Sequence, residues 1–366
     1  MESFDKIISI NNWFDKPLDS PLYIAGPCSA ETEEQIINTA SEISKNSKIN
    51  VFRAGLWKPR TRPNTFEGVG NKGLPWLKKV KEKYGLLIAV EVANPEHVAL
   101  CLENNIDVLW IGARTVSNPF SIQEMAKSLA NVQIPVLIKN PVNPDIDLWI
   151  GAIERFYNNG VYKLAALHRG FYPFERTIFR NIPKWEIPIE LKIKLPLLPV
   201  ICDPSHIAGT TKFIEEISQK ALDLNFDGLM IETHINPKQA LSDSQQQLTP
   251  KQLNELLSRL IVRDVSSNDT EFSKLLSNYR SQIDSLDFQL LELLAQRMKV
   301  VEKIGEYKSL NNVKILQLPR WENIIGTRTE YGKSRGLSEE FITKLLQLVH
   351  KESIQKQTEI MSKSKI

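Results

Sequence analysis

The stretch Pro21–Glu31, PLYIAGPCSAE, decides the fold. Small and apolar residues run as a short strand, Gly26-Pro27 ends it, and Cys28 follows at once, with Ser29, Ala30 and Glu31 opening a helix. A thiol therefore stands at the carboxyl end of a buried strand. The strand itself spans Leu22–Ala25, and similar apolar runs recur at Val51–Ala54, Leu86–Val92, Val108–Gly112, Pro135–Lys139, Val161–Leu167, Leu198–Cys202 and Gly228–Glu232. They are short, rich in β-branched residues and free of polar alternation, as strands buried on both faces are. Segments with helical spacing lie between them: Thr32–Ser44, Leu74–Lys83, Pro95–Leu102, Phe120–Leu129, Leu148–Asn158, Thr210–Leu224 and Thr249–Leu260. Eight parallel strands joined by crossovers predict an α/β fold, a (β/α)8 TIM barrel. An open doubly wound sheet is the alternative, but no GxGxxG follows the first strand.

The texture changes after residue 260. Val265–Thr270 is a polar connector, and Glu271–Leu310 reads as one long amphipathic helix with Leu275, Tyr279, Ile283, Leu286, Leu290 and Leu293 on its apolar stripe. Arg320–Tyr331 and Ser338–Ile360 are two further helices, the last with Ser338, Glu339 and Glu340 as its amino-terminal cap. The expected organisation is a barrel over 1–262, a linker over 263–270 and a small all-α three-helix domain over 271–366. Three helices cannot bury so long a stripe alone; a second copy or the barrel must cover it.

Composition narrows the function. The 366 residues carry 24% charged side chains but a net charge of only +3, with no face-sized basic block, so a nucleic-acid binder is not expected. No run reaches the ~18 apolar residues of a membrane span, and the amino terminus lacks a signal-peptide core. Cys28, Cys101 and Cys202 are too few for a disulfide framework, which points to a reducing, cytoplasmic setting.

Active sites of such barrels lie at the carboxyl ends of the strands. Those ends supply Cys28; Arg53 with Lys58 and Arg60; Glu91; Arg114; Lys139; His168 with Arg169; Asp203 with His206; and Glu232 with Asp243 beyond it. Six cations, Arg53, Lys58, Arg60, Arg114, Lys139 and Arg169, converge on one mouth and call for a phosphate or carboxylate guest. Cys28, His206, Glu232 and Asp243 make a mixed sulfur, nitrogen and oxygen set suited to a divalent transition metal such as Mn, Fe, Co or Zn rather than to Ca. Alone, a Cys is usually a small core hydrophobe and a post-strand Arg a solvated surface group; chance does not place such groups on nearly every strand end.

GPCSAE, FRAGLWKPRT, IGAR, PVLIKNP, LHRG, DPSH and MIETH…LSDSQQQL together resemble 3-deoxy-D-arabino-heptulosonate-7-phosphate (DAHP) synthase of the short kind, over about Pro21–Leu260. That family condenses phosphoenolpyruvate with erythrose 4-phosphate at the head of the shikimate pathway. The resemblance implies a metal, Mn²⁺ first, at Cys28, His206, Glu232 and Asp243. It implies phosphoenolpyruvate on Arg53, Lys58, Arg114, Lys139 and Arg169, and erythrose 4-phosphate on Lys58, Arg60, Thr61 and Asp203. Lys139, His168 and Glu91 are the expected proton-transfer groups. Ser117-Asn118 replaces the usual Gln-Asn after IGAR, and no amino-terminal regulatory domain is expected. Related synthases that make octulosonate or sialic acids are the rival, with Lys58–Thr61 as the discriminating loop.

YRSQIDSLDFQLLELLAQR…IGEYK…ITKLLQLVHKESIQKQ resembles the all-helical chorismate mutases over about Lys274–Glu359. This implies chorismate or prephenate on Arg280, Arg297, Lys308, Arg320, Ser353 and Gln357, and a homodimer of interlocked helices in which Arg280 serves the other chain. A family Asp position is Gln317 here and a family Glu position is Trp321. The alternative is a helical domain that only binds ligand and dimerises. Feedback on the barrel by prephenate is the regulatory expectation.

Overall fold

Eight parallel strands close into a barrel in sequence order: β1 (Leu22–Gly26), β2 (Ile49–Ala54), β3 (Leu87–Val92), β4 (Val108–Ile111), β5 (Val136–Lys139), β6 (Leu164–His168), β7 (Val200–Cys202) and β8 (Gly228–Glu232). The first and last pair in register, with Leu22 opposite Gly228 and Gly26 opposite Glu232. Around them run α1 (Glu33–Ile43), α2 (Leu74–Tyr84), α3 (Pro95–Glu103), α4 (Pro119–Ser128), α5 (Ile146–Asn158), α6 (Glu186–Lys194), α7 (Ile214–Asp223) and α8 (Pro250–Arg259). This is the expected (β/α)8 barrel. The computed structural model describes residues 4–18, 21–58, 65–173 and 177–363.

Local sequence starts these helices in a repeated way. At Asn94-Pro95, Asn118-Pro119 and Thr249-Pro250 a polar side chain caps the helix and proline takes its first turn, where a missing N–H costs nothing. Asn118 accepts from the N–H groups of Phe120 and Ser121, and the Ser117 hydroxyl before it donates to the Ala113 carbonyl at 3.2 Å. Helix α6 was not expected. In Ile187, Ile189, Leu191 and Ile193 the apolar residues alternate with period two, and Pro188 interrupts them. The segment is nevertheless helical: Pro188 and Leu191, three residues apart on one face, are buried, Ile187 is half-buried against the core, and Ile189 and Ile193 remain exposed.

Strand parity sets what reaches the mouth. One residue in two along the strands joins a single interior cluster, including Ile24, Val51, Ala89, Trp110, Leu137, Leu167, Ile201 and Met230. Their neighbours Ala25, Phe52, Val90, Ile111, Ile138, Ala166, Cys202 and Ile231 pack outward in the larger cluster with the helices. The segment before β1, expected as a lead-in, also has a structural task. Ile10, Trp13 and Leu18 join the interior cluster. The Ile8 N–H bonds the Tyr162 carbonyl at 3.0 Å, and Lys163 donates to the Trp13 carbonyl. These bonds hold the segment across the amino-terminal end of the barrel and leave the carboxyl end as the mouth.

The chain divides into two compact units, Met1–Val265 and Ser266–Ile366. The second consists of α9 (Thr270–Leu310), α10 (Leu318–Ser334) and α11 (Glu339–Lys363). Asp269 caps α9, accepting from the N–H groups of Glu271 and Phe272. Among the described residues of this unit Val301 and Ile342 are the buried apolar side chains, whereas Leu275, Tyr279, Ile283, Leu286, Leu290 and Leu293 are exposed. No helix among the described residues is long and apolar enough to cross a membrane.

Candidate functional site

A cavity of about 360 Å³ opens at the carboxyl ends of the strands, lined by Lys58, Glu91, Arg114, Lys139, Arg169, Arg180, His206 and Asp243 among others. Parity explains the selection. Arg53 lies two residues beyond Val51, Glu91 beyond Ala89, Lys139 beyond Leu137, Arg169 beyond Leu167, Asp203 beyond Ile201 and Glu232 beyond Met230, so each continues the inward row. Arg60 and Thr61 lie outside the described residues.

Gly26 makes the first corner. Its φ of 147° suits glycine, and a Cβ there would overlap the Arg53 carbonyl. Beyond it Cys28 is buried, its N–H donating to Gln247 Oε1 at 2.9 Å and its Sγ to Asp243 Oδ2 at 3.2 Å. Lys58 Nζ reaches the same sulfur at 3.3 Å. Donor atoms of Cys28, Glu232 and Asp243 all lie within 4.8 Å of one another. His206 stands beside this set, Nε2 at 3.7 Å from Glu232 Oε1, while its Nδ1 is 2.8 Å from Asp203 Oδ2. A carboxylate on one ring nitrogen that leaves the other facing a ligand set is the usual way a metal-binding histidine is oriented.

The donors fit a divalent cation. Burial pushes the Cys28 thiol up to about 12, Glu232 and Asp243 adding to the rise and Lys58 opposing it, so without a cation the sulfur keeps its proton. A coordinated cation reverses that balance. Burial disfavours ionised Glu232 as well, but the His206 ring and the Arg53 guanidinium outweigh it and the carboxyl lies below its usual value. Glu232 Oε1 is buried without an aligned hydrogen-bond donor.

The cations separate by depth. Arg53 is fully buried, 3.2 Å from Glu232 and 4.8 Å from the Trp110 ring, with Nε and Nη1 without a hydrogen-bond partner among the described residues. Lys139 pairs with Asp203 at 3.0 Å. Arg169 donates to Asn181 at 2.8 Å, and burial lowers it to about 10. Unpartnered donors so deep are satisfied by an anion that presents several oxygens.

His168 is a correction. Expected to transfer protons at the mouth, it has the opposite parity to Arg169 and points outward. It is fully buried among Trp149, Phe171, Trp185 and Phe226, with ring centroids 5.4–6.4 Å away. Burial lowers it to about 3, so the ring is neutral in its aromatic shell, and it is not among the described residues that line the cavity. Arg180 is the opposite case, a mouth residue that strand ends do not point to, because it comes from the loop between β6 and α6.

In the helical unit Arg297 Nη1 donates to Ser353 Oγ at 2.6 Å, Lys308 Nζ bonds the Ile315 carbonyl at 2.6 Å, and Gln357 Oε1 is buried without a partner. Burial lowers both Arg297 and Lys308. Trp321 stacks on His350, with ring centroids 4.0 Å apart. Arg320 Nη1 reaches Asn323 Oδ1 at 3.5 Å. Arg280 precedes Arg297 by seventeen residues on α9, roughly 25 Å at 1.5 Å per residue. One chain therefore does not bring Arg280 to the others.

Comparison with known proteins accounts for both units. Residues 14–266 match the DAHP synthetase I family and residues 279–358 match chorismate mutase type II. The phospho-2-dehydro-3-deoxyheptonate aldolase of Thermotoga maritima is 32% identical over 237 residues, 65% of this chain and 68% of that protein. The 2-dehydro-3-deoxyphosphooctonate aldolase of Wolinella succinogenes is 29% identical over 260 residues, 66% of this chain and 98% of that one. A crystal structure of the Thermotoga maritima DAHP synthase superposes with a TM-score of 0.59 at 30% identity, covering 70% of each chain. Barrel, mouth and matches agree: this chain belongs to the DAHP synthetase I family and carries a chorismate mutase type II domain later in its sequence.

Proposed function

We propose a bifunctional shikimate-pathway enzyme that condenses phosphoenolpyruvate with D-erythrose 4-phosphate to DAHP and phosphate in the barrel, and rearranges chorismate to prephenate in the helices. The observation that carries the first activity is the cavity where Lys58, Arg114, Lys139 and Arg169 meet beside the Cys28, Glu232 and Asp243 donors. Arg53, Lys58, Arg114, Lys139 and Arg169 hold the carboxylate and phosphate of phosphoenolpyruvate, fixing its enol carbon for attack. Arg60, Thr61, Lys58 and Asp203 serve the sugar phosphate. Cys28, His206, Glu232 and Asp243 would hold the divalent metal, Mn²⁺ before Co²⁺, Fe²⁺ or Zn²⁺, which when bound supplies Lewis-acid polarisation of the aldehyde. Lys139 and Glu91, both on the cavity wall, are the groups that can move a proton as water adds and phosphate leaves. The octulosonate relatives support a different sugar on the same machinery; an aldehyde competition assay separates the two.

The second activity needs no acid, base or metal. Arg297, Lys308 and Arg320, with Arg280 of the partner subunit, hold the two carboxylates of chorismate, and Lys308 with Gln357 stabilises charge on the ether oxygen. The exposed stripe on α9 supports a homodimer through this unit. With Gln317 and Trp321 where acidic residues are usual, ligand binding is better supported than a full mutase rate. Prephenate bound there would regulate the barrel, a coupling of about 1–3 kcal/mol. The test is the synthase rate of metal-stripped protein with Mn²⁺ returned, with and without prephenate. Recovery by the metal and loss on adding prephenate is the expected result. No recovery with any divalent metal overturns the ligand set, and recovery without a prephenate effect overturns the regulation alone.

A further inference from the structure

Each of the two carboxylates beside Cys28 is held by a hydrogen bond on one oxygen, and the other oxygen faces the remaining candidate ligands, Cys28 for Asp243 and His206 for Glu232. Asp243 Oδ1 accepts from Arg180 Nη1 at 2.9 Å, while Oδ2 faces Cys28 Sγ at 3.2 Å. Glu232 Oε2 accepts from Gln246 Nε2 at 2.6 Å, while Oε1 lies 3.2 Å from Arg53 Nη2 and 3.7 Å from His206 Nε2. Gln246 Oε1 in turn accepts from the same Arg180 Nη1, at 2.7 Å. The run Asp243–Arg180–Gln246–Glu232 is thus unbroken. Only one orientation of the Gln246 amide serves it, because a carboxylate needs the NH₂ and a guanidinium needs the oxygen.

We infer that Arg180 and Gln246 are positioning residues of this site: by engaging one oxygen of Asp243 and of Glu232 they fix which oxygen of each is left for a ligand, and so set the affinity of the site for a divalent cation. The inference rests on reading Cys28, Glu232 and Asp243 as cation ligands. The surroundings are built for the tether. Gln246 is 1% exposed, so its hydrogen bonds form away from competing water. Asp243 has φ 49°, a left-handed conformation that a non-glycine residue keeps only when its neighbours enforce it. The Arg180 and Asn181 N–H groups bond the Ala208 and Ile207 carbonyls at 3.2 and 3.1 Å, and Asn181 Nδ2 bonds the His206 carbonyl at 2.6 Å, which ties the Arg180 backbone to the short helix carrying His206. Gly209, at φ 69°, lies against the Arg180 side chain where any Cβ would overlap it. Of the other mouth cations, Lys139 is engaged by Asp203 and Arg169 by Asn181, while Lys58 Nζ reaches Cys28 Sγ at 3.3 Å and Arg53 Nη2 reaches Glu232 Oε1 at 3.2 Å.

The experiment titrates Co²⁺ into the metal-stripped full chain by calorimetry and follows the thiolate-to-cobalt charge-transfer band. The unaltered protein is compared with Arg180→Leu, Gln246→Leu and the double variant. Each single change is expected to weaken Co²⁺ binding about 10- to 100-fold and to alter the band. The double variant is expected to be no weaker than the poorer single one, because both cut the same run. Arg180 has a 42% exposed side chain, so its variant keeps the core intact; metal-free unfolding midpoints check both. A merely structural role would lower those midpoints and leave affinity and band unchanged, and that result overturns the inference. If the unaltered chain binds no Co²⁺, the ligand reading itself fails and the inference with it.

Discussion

His168 and Arg169 are neighbours that face opposite sides of the barrel wall, and their charges follow. Arg169 meets the cavity, while His168 is sealed among four aromatic rings. A ring lowered from 6.5 to about 3 is neutral in the fold but takes up a proton once unfolded below about pH 6.5. The unfolded state then binds more protons, so this residue's contribution to stability is complete above pH 6.5 and is lost as pH falls toward 3. The expected slope is at most about 1.4 kcal/mol per pH unit. His168→Phe keeps the aromatic packing and removes that slope, which urea midpoints at pH 7 and pH 5 would reveal; equal pH dependence in both proteins refutes it. The strand-end rule named both residues, since it marks a position along the wall and not a side of it. Counting alternate residues from the buried interior row selects Arg169 and rejects His168. Arg180 and Gln246 had no comparable signal, because loop residues carry no period and their partners are remote in sequence.

At the scale of elements, hydrophobic patterning located seven of the barrel helices and every strand, with boundaries shifted by a few residues. It failed at α6, where Ile187, Ile189, Leu191 and Ile193 mimic a strand. Period is informative only when burial follows it, and half of those side chains stay in water. In α9 the pattern is accurate but its apolar stripe lies bare within one chain. Apolar area left in water costs about 25 cal/mol per Å², so a second copy has a strong reason to cover Leu286 and Leu290. Leu286→Glu is expected to shift the protein from dimer to monomer in sedimentation and to lower mutase activity at least tenfold, because Arg280 then loses the site it serves. Synthase activity without prephenate is expected to persist. A dimer that survives the substitution with full mutase activity rules this out.

For the whole molecule, the two units invite an experiment that treats one as the sensor of the other. Arg297 is held by Ser353 at the centre of the helical site. Arg297→Ala is expected to cost at least about 100-fold in mutase kcat/KM, or about 2.7 kcal/mol, and to raise the prephenate concentration needed to slow the barrel by a similar factor. The synthase rate without prephenate is expected to stay unchanged. Full inhibition of this variant at the original prephenate concentration would place the regulatory site elsewhere.

The two units share one chain, and that has an arithmetic consequence. Every copy made brings one barrel mouth and one set of helices, whatever the level of expression. The ratio of the two catalysts is therefore fixed at translation. Any difference between the rates that the two units of this protein deliver must come from turnover per site or from how full each site is, never from making more of one unit than of the other.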